Sequence, residues 1–207
     1  DLDSSMAVPD TDLDVHMDAL GLDFTCGTCH ATSSHDVPGS RYTPTAKDTG
    51  GAHMRGKLAE GGNPATCVAC HDTTPHKTGA HAERLNHHAG TVACQTCHIP
   101  EFARGGVATK MSWAWSTAGE RDAQGKQIVR KDEKGKIIYE SRKGDFVLGT
   151  NVKPEYRWFN GEITYTLLDD KIDPAHQPIG INRINGSADD GKSLIWPFKV
   201  MRGKQPY

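Results

Sequence analysis

Six cysteines fall into three pairs of one spacing, and a histidine closes each: Cys26, Cys29 and His30; Cys67, Cys70 and His71; Cys94, Cys97 and His98. CxxCH is the attachment signature of a c-type haem. Its two thiols add across the porphyrin vinyl groups, and its histidine takes the proximal place on the iron. Three motifs with no cysteine left over predict three covalently bound haem c groups and redox chemistry at iron.

Zinc and disulfides explain the pattern less well. A structural zinc takes four ligands, often from two CxxC pairs, so three pairs would strand one. The motifs are separated by positions 30–66 and 71–93, which is not the common zinc-ribbon spacing. A disulfide scaffold gives no reason for a histidine after every pair.

Three irons offer six axial places, and His30, His71 and His98 fill three. Eight histidines remain for the distal side. His35 and His76 each follow a proximal histidine by five positions. At that offset a ring cannot easily fold back onto its own iron; it reaches an adjacent haem, which packs the porphyrins closely. His87 and His88 precede the third motif as a pair in which one ligates and the other faces water. His16 and His53 are further candidates, whereas His81 and His176 read as bystanders. An iron with two nitrogen ligands passes electrons, while an open sixth position permits chemistry on a small molecule.

The elements that position these residues are short. Each CxxCH is expected to open a helical turn, and further helices are expected over 14–22 and 82–88. Residues 1–105 hold all three motifs and ten of the eleven histidines, and form the expected trihaem region. Residues 106–207 form a haem-free, β-leaning lid or docking region. There, 127–130 and 136–140 flank a glycine-bearing hairpin turn over 131–135. Strands are also expected within 146–148, 156–159 and 163–167, with an irregular path after Asp173. The fold class is thus a mostly irregular, short-helix multihaem fold wrapped around three haems, with a β-leaning C-terminal half.

Composition sets the outer limits. Only 36% of the 207 residues are hydrophobic, a thin core for this length that buried porphyrins would complete. A net charge of −2 argues against nucleic acid as a partner. No apolar run is long enough to span a membrane. The sequence contains no basic-then-apolar leader and Asp1 is expected to be a processed start; covalent haem attachment occurs outside the cytoplasm, so periplasmic or extracellular residence is expected.

Residues 94–116, CQTCHIPEFARGGVATKMSWAWS, resemble the stretch that follows a haem motif in the octahaem tetrathionate reductase family of multihaem cytochromes. HMDALGLDFTCGTCH, CVACHDTTPHK and LNHHAGTVACQTCHIP resemble its haem segments; YRWFNGEITY, INRINGS and WPFKVMRGKQPY resemble later blocks. The resemblance covers about residues 12–207. It implies that Lys110 is the distal ligand of a catalytic haem, a role that needs a deprotonated amine in a desolvated pocket. The family carries eight haems and this chain three motifs, so only the amino-terminal trihaem part corresponds, as a piece of a longer protein or a free-standing relative.

Two functions follow. The first is an exported trihaem cytochrome relaying electrons to redox partner proteins or to copies of itself, as one unit of a stack in which His16 or His53 ligates across subunits. The second is a reductase of small sulfur or nitrogen oxyanions at a Lys110-ligated haem, with Arg104, Lys110 and Arg202 attracting the anion.

Overall fold

The computed structural model describes residues 6–29 and 67–206. His30, His35 and His53 lie outside these residues, as does the side chain of Cys29. Among the described residues α-helix is confined to short pieces: α1 (Cys26–Cys29), α2 (Cys67–His71), α3 (Ala82–His88) and α4 (Cys94–His98). Three of the four are the CxxCH segments themselves. The helix expected over 14–22 does not form; that stretch is a run of turns. Its aspartates take the backbone donors a helix would use: Asp14 Oδ1 accepts from the amides of His16 and Met17 at 2.9 and 3.2 Å, and Asp18 Oδ1 from Leu20 at 3.0 Å. Such local side-chain bonds compete directly with helix.

The second half is β-rich. Its strands are β1 (Thr109–Ala114), β2 (Val129–Lys131), β3 (Ile137–Glu140), β4 (Gly144–Gly149), β5 (Glu155–Phe159), β6 (Ile163–Tyr165), β7 (Asn182–Ile184), β8 (Leu194–Phe198) and β9 (Arg202–Lys204). The hairpin forms as its turn chemistry requires: Asp132 Oδ1 accepts from the Lys134 and Lys136 amides, and Gly135 supplies a φ of 78°. The stretch after Asp173, expected to be irregular, holds three strands. Each is short and gains its partner from elsewhere in the chain, a signal that local sequence does not carry.

The chain groups into two compact units. One comprises Glu101–Glu155 and residues 198–206. It holds a five-stranded sheet in the order β2-β3-β4-β1-β9, with β9 parallel to β1. Tyr139 is its fully buried centre, its hydroxyl donating to the Thr117 carbonyl and accepting from the Glu120 amide. Trp113 lies against Gly203, and its indole N–H donates to Gln205 Oε1 at 2.9 Å.

The other unit comprises residues 6–100, as far as described, with Tyr156–Pro197. It contains every described haem motif, the two-stranded β6–β7 sheet and most of the β5–β8 pair. Phe159 and Trp196 pack edge to face at 5.8 Å. Among the described residues of the chain, Ala93, Tyr139, Phe146, Phe159 and Leu194 are the buried apolar side chains. Leu20 and Leu168 stand almost fully exposed.

Candidate metal centres

Within a helical turn, side chains three and four positions apart share a face. The second and third CxxCH turns, α2 and α4, therefore present both sulfurs and the histidine together. In α4 the turn is held by a distant strand. The Ile195 carbonyl accepts from Ala93 N at 3.0 Å and from Thr96 Oγ1 at 2.8 Å, and the Ile195 amide donates to the Thr91 carbonyl at 2.8 Å. In α1 the Thr25 amide donates to Thr28 Oγ1 at 3.2 Å.

Two of the motif histidines, His71 and His98, face imidazoles from other segments. His98 faces His76, with ring centroids 6.2 Å apart and planes 15° apart. His71 faces His16, with centroids 6.1 Å apart and planes 70° apart. Two metal–imidazole bonds of about 2 Å, plus roughly 1.1 Å from each nitrogen to its ring centre, put trans imidazoles about 6.3 Å apart. Both pairs lie at about that separation, His76 and His98 as near-parallel rings and His16 and His71 as crossed ones. His76 thus turns to the third motif rather than to His71, five residues before it.

Asn86 on α3 fixes which ring nitrogen of His76 donates. Its Oδ1 accepts from the His76 amide at 3.0 Å and its Nδ2 donates to the His76 carbonyl at 2.9 Å. These two bonds fix which way the amide points. The same Oδ1 lies 3.1 Å from His76 Nδ1, so Nδ1 is the donor nitrogen and Nε2 is the one left to face a metal. His16 Nδ1 faces the Asp14 carboxylate at 3.7 Å, and Phe24 stacks on its ring at 6.0 Å.

Cys26, Cys67, Cys70, Cys94 and Cys97 form no disulfide with one another. Cys67 hydrogen-bonds Cys94; this bond, helped by a backbone donor and by His76, brings the Cys94 thiol down to about 6 against the opposing effect of partial burial. The second and third motifs therefore meet sulfur to sulfur.

These residues fit a covalently held haem. The motif cysteines would hold the group through thioether bonds, and the paired imidazoles would offer nitrogens to its iron. The buried indole N–H of Trp196, next to Ile195, has no acceptor among the described residues. Leaving such a donor unpaired is costly, and a porphyrin propionate is an acceptor of the right kind.

The remaining histidines of the sequence reading occupy other places. His87 and His88 end α3 and are exposed, His81 precedes it, and His176 pairs with Asp173 at 2.6 Å on the surface. Lys110 lies on β1 in the five-stranded unit, its amine 4.0 Å from the centre of the Phe146 ring. It borders an open depression of about 400 Å³ that Lys131, Lys136 and Lys143 also line. Asn86 and Ile195 were not singled out from sequence, because neither residue type carries a signature for supporting a ligand from a distance.

The comparisons agree with this chemistry. Residues 110–207 match the family model described as bacterial cytochrome c. The crystal structure of an octaheme cytochrome c from Shewanella oneidensis matches 98% of the chain at 40% identity, with a TM-score of 0.71. The chain belongs to the multihaem c-type cytochromes. The family match falls on the half without cysteines, whereas the structural match spans both halves. The resemblance to the octahaem tetrathionate reductase-like cytochromes is borne out, and the cytochrome spans 41% of the length of the Shewanella chain. No curated protein matches it. As a c-type cytochrome it carries covalent haem. No helix among the described residues is long and apolar enough to cross a membrane.

Proposed function

We propose that this cytochrome is an exported three-haem electron relay in which residues 1–105 carry the haems and 106–207 form a haem-free partner-facing region. The observation that carries the reading is the pair of facing imidazoles, His16 with His71 and His76 with His98, at 6.1 and 6.2 Å. An iron closed on both sides by imidazole exchanges single electrons and leaves no place for substrate. His30 takes the first iron, with His35, His53, His87 or His88 opposite. The Cys67–Cys94 contact favours a short path between the second and third centres, because thioether-linked porphyrin edges attached there adjoin each other. The segment from His71 to His76 joins the same two centres through the backbone. Redox proteins or further copies of the chain serve as donor and acceptor.

The haem-loaded protein tests this directly. Its mass is expected to exceed that of the polypeptide by three haems, and its ferric optical spectrum to show low-spin iron only. His16→Ala and His76→Ala are each expected to convert one haem to a high-spin or solvent-ligated form. Wild-type protein with a high-spin haem at the second or third motif would refute the closed relay.

The second reading, reduction of a small sulfur or nitrogen oxyanion at a haem ligated by Lys110, draws on the amines of Lys110, Lys131, Lys136 and Lys143 around one depression. Turnover of tetrathionate, nitrite or hydroxylamine with a dye donor, abolished by Lys110→Met, would favour it over the relay.

A further inference from the structure

We infer that Asn86 is a positioning residue that locks the plane of the His76 imidazole, and thereby makes the third-motif iron electronically different from the second. The inference rests on the ligand pairs proposed above and goes beyond them. An axial imidazole turns about its metal–nitrogen bond against a small barrier, so a hydrogen bond at its other nitrogen decides where the plane settles. Asn86 Oδ1 supplies that bond at 3.1 Å, and its orientation is held by two further bonds to the His76 backbone at 3.0 and 2.9 Å. The plane then lies 15° from that of His98. Among the described residues His16 has no equivalent lock: Asp14 Oδ1 is 3.7 Å from its Nδ1, beyond hydrogen-bond reach, and its plane crosses that of His71 at 70°.

The electronic consequence follows from symmetry. The π orbital of an imidazole stands perpendicular to its ring and mixes with one of two iron dπ orbitals. Parallel rings raise the same orbital and split the pair, which gives a rhombic low-spin ferric centre. Crossed rings raise one orbital each and leave the pair nearly degenerate, which gives a strongly anisotropic, near-axial centre. The relay is thus built from two bis-imidazole irons of different electronic type, and Asn86 is the residue that keeps them different.

Electron paramagnetic resonance of the haem-loaded ferric protein tests the inference. Wild type is expected to show a three-line rhombic signal together with a strongly anisotropic low-field signal. Asn86→Ala should lose or broaden the rhombic signal while haem content and the low-spin optical spectrum persist. Asn86→Asp should retain it, because a carboxylate accepts the same proton, and should move that haem to a more negative potential by enriching the imidazole. An unchanged rhombic signal in Asn86→Ala overturns the inference. If that variant does not accumulate, an Asn86→Asp protein with an unshifted potential does so. His76→Ala separates the two levels: retention of the rhombic signal there would reject the ligand pair itself, not only the role of Asn86.

Discussion

The amine of Lys110 stands 4.0 Å above the centre of the Phe146 ring, a cation resting on an aromatic face within the five-stranded sheet. Such contacts contribute about 0.5–1 kcal/mol at exposed sites. Under the relay reading, Lys110→Met is expected to lower the melting midpoint slightly and to leave every haem absorption and resonance signal in place. Altered ligand-field bands in that variant would instead support iron ligation by Lys110.

Cys94 is expected to behave as a thiolate in the chain before haem loading. With its thiol brought to about 6 chiefly by the Cys67 hydrogen bond, alkylation should rise as pH passes through about 6 and level off near neutrality. Cys67→Ser, which offers a different donor, should displace that profile. Peptide mass mapping of iodoacetamide-treated apoprotein reads the result.

Asp190 ties the turn before β8. Its carboxylate accepts from Ser193 Oγ at 2.6 Å and from the amides of Ser193, Lys192 and Ser187 at 2.7, 2.8 and 3.1 Å. The Ser193 hydroxyl and amide lead the bonds that hold its pKa well below the ordinary carboxylate value. A group with a depressed folded pKa stabilises above its unfolded pKa and loses that contribution as pH falls. The stabilisation is therefore complete above about pH 4 and fades below it. Replacement by Asn is expected to flatten this acid-side slope in denaturant titrations at successive pH values.

Two glycines in the five-stranded unit admit no side chain. A Cβ on Gly144, at φ 75°, would meet the Ala114 carbonyl at 2.0 Å, and one on Gly203 would meet the Trp113 ring at 2.4 Å. Gly144→Ala and Gly203→Ala should each destabilise the protein by roughly 2–4 kcal/mol. Urea unfolding followed by tryptophan fluorescence measures both, and a change below about 0.5 kcal/mol in either would contradict the packing described.

Thr96→Val removes a hydroxyl from inside the third motif and frees the Ile195 carbonyl of one of its two donors. The expected cost is about 1 kcal/mol, seen as a lower melting midpoint with haem attachment intact.

The chemistry was the most legible part of the sequence. Each CxxCH is a local motif, and the turns around Cys67, Cys94 and Gly135 form because their signals lie within a few residues. The five-residue offset of His76 pointed away from His71, and its ring does lie against that of His98 from another segment. That its partner is His98, and that His16 meets His71, depends on contacts between segments far apart in sequence. The strands β7, β8 and β9 were missed for the same reason: their pairing is tertiary, and three to five residues of local preference do not reveal it. The turns over 14–22 show the opposite error, in which helical spacing was read without weighing Asp14 and Asp18 as competitors for the backbone amides.

The strand that braces α4 through Ile195 has a consequence for biogenesis. Polypeptides emerge amino terminus first, so the third CxxCH leaves the ribosome ninety-nine residues before the carbonyl that will receive Thr96. During that interval the turn lacks its brace, and the thiols of a nascent chain are presented on looser backbone than the finished fold provides. A truncation before Ile195 would hold the protein in that unbraced condition permanently.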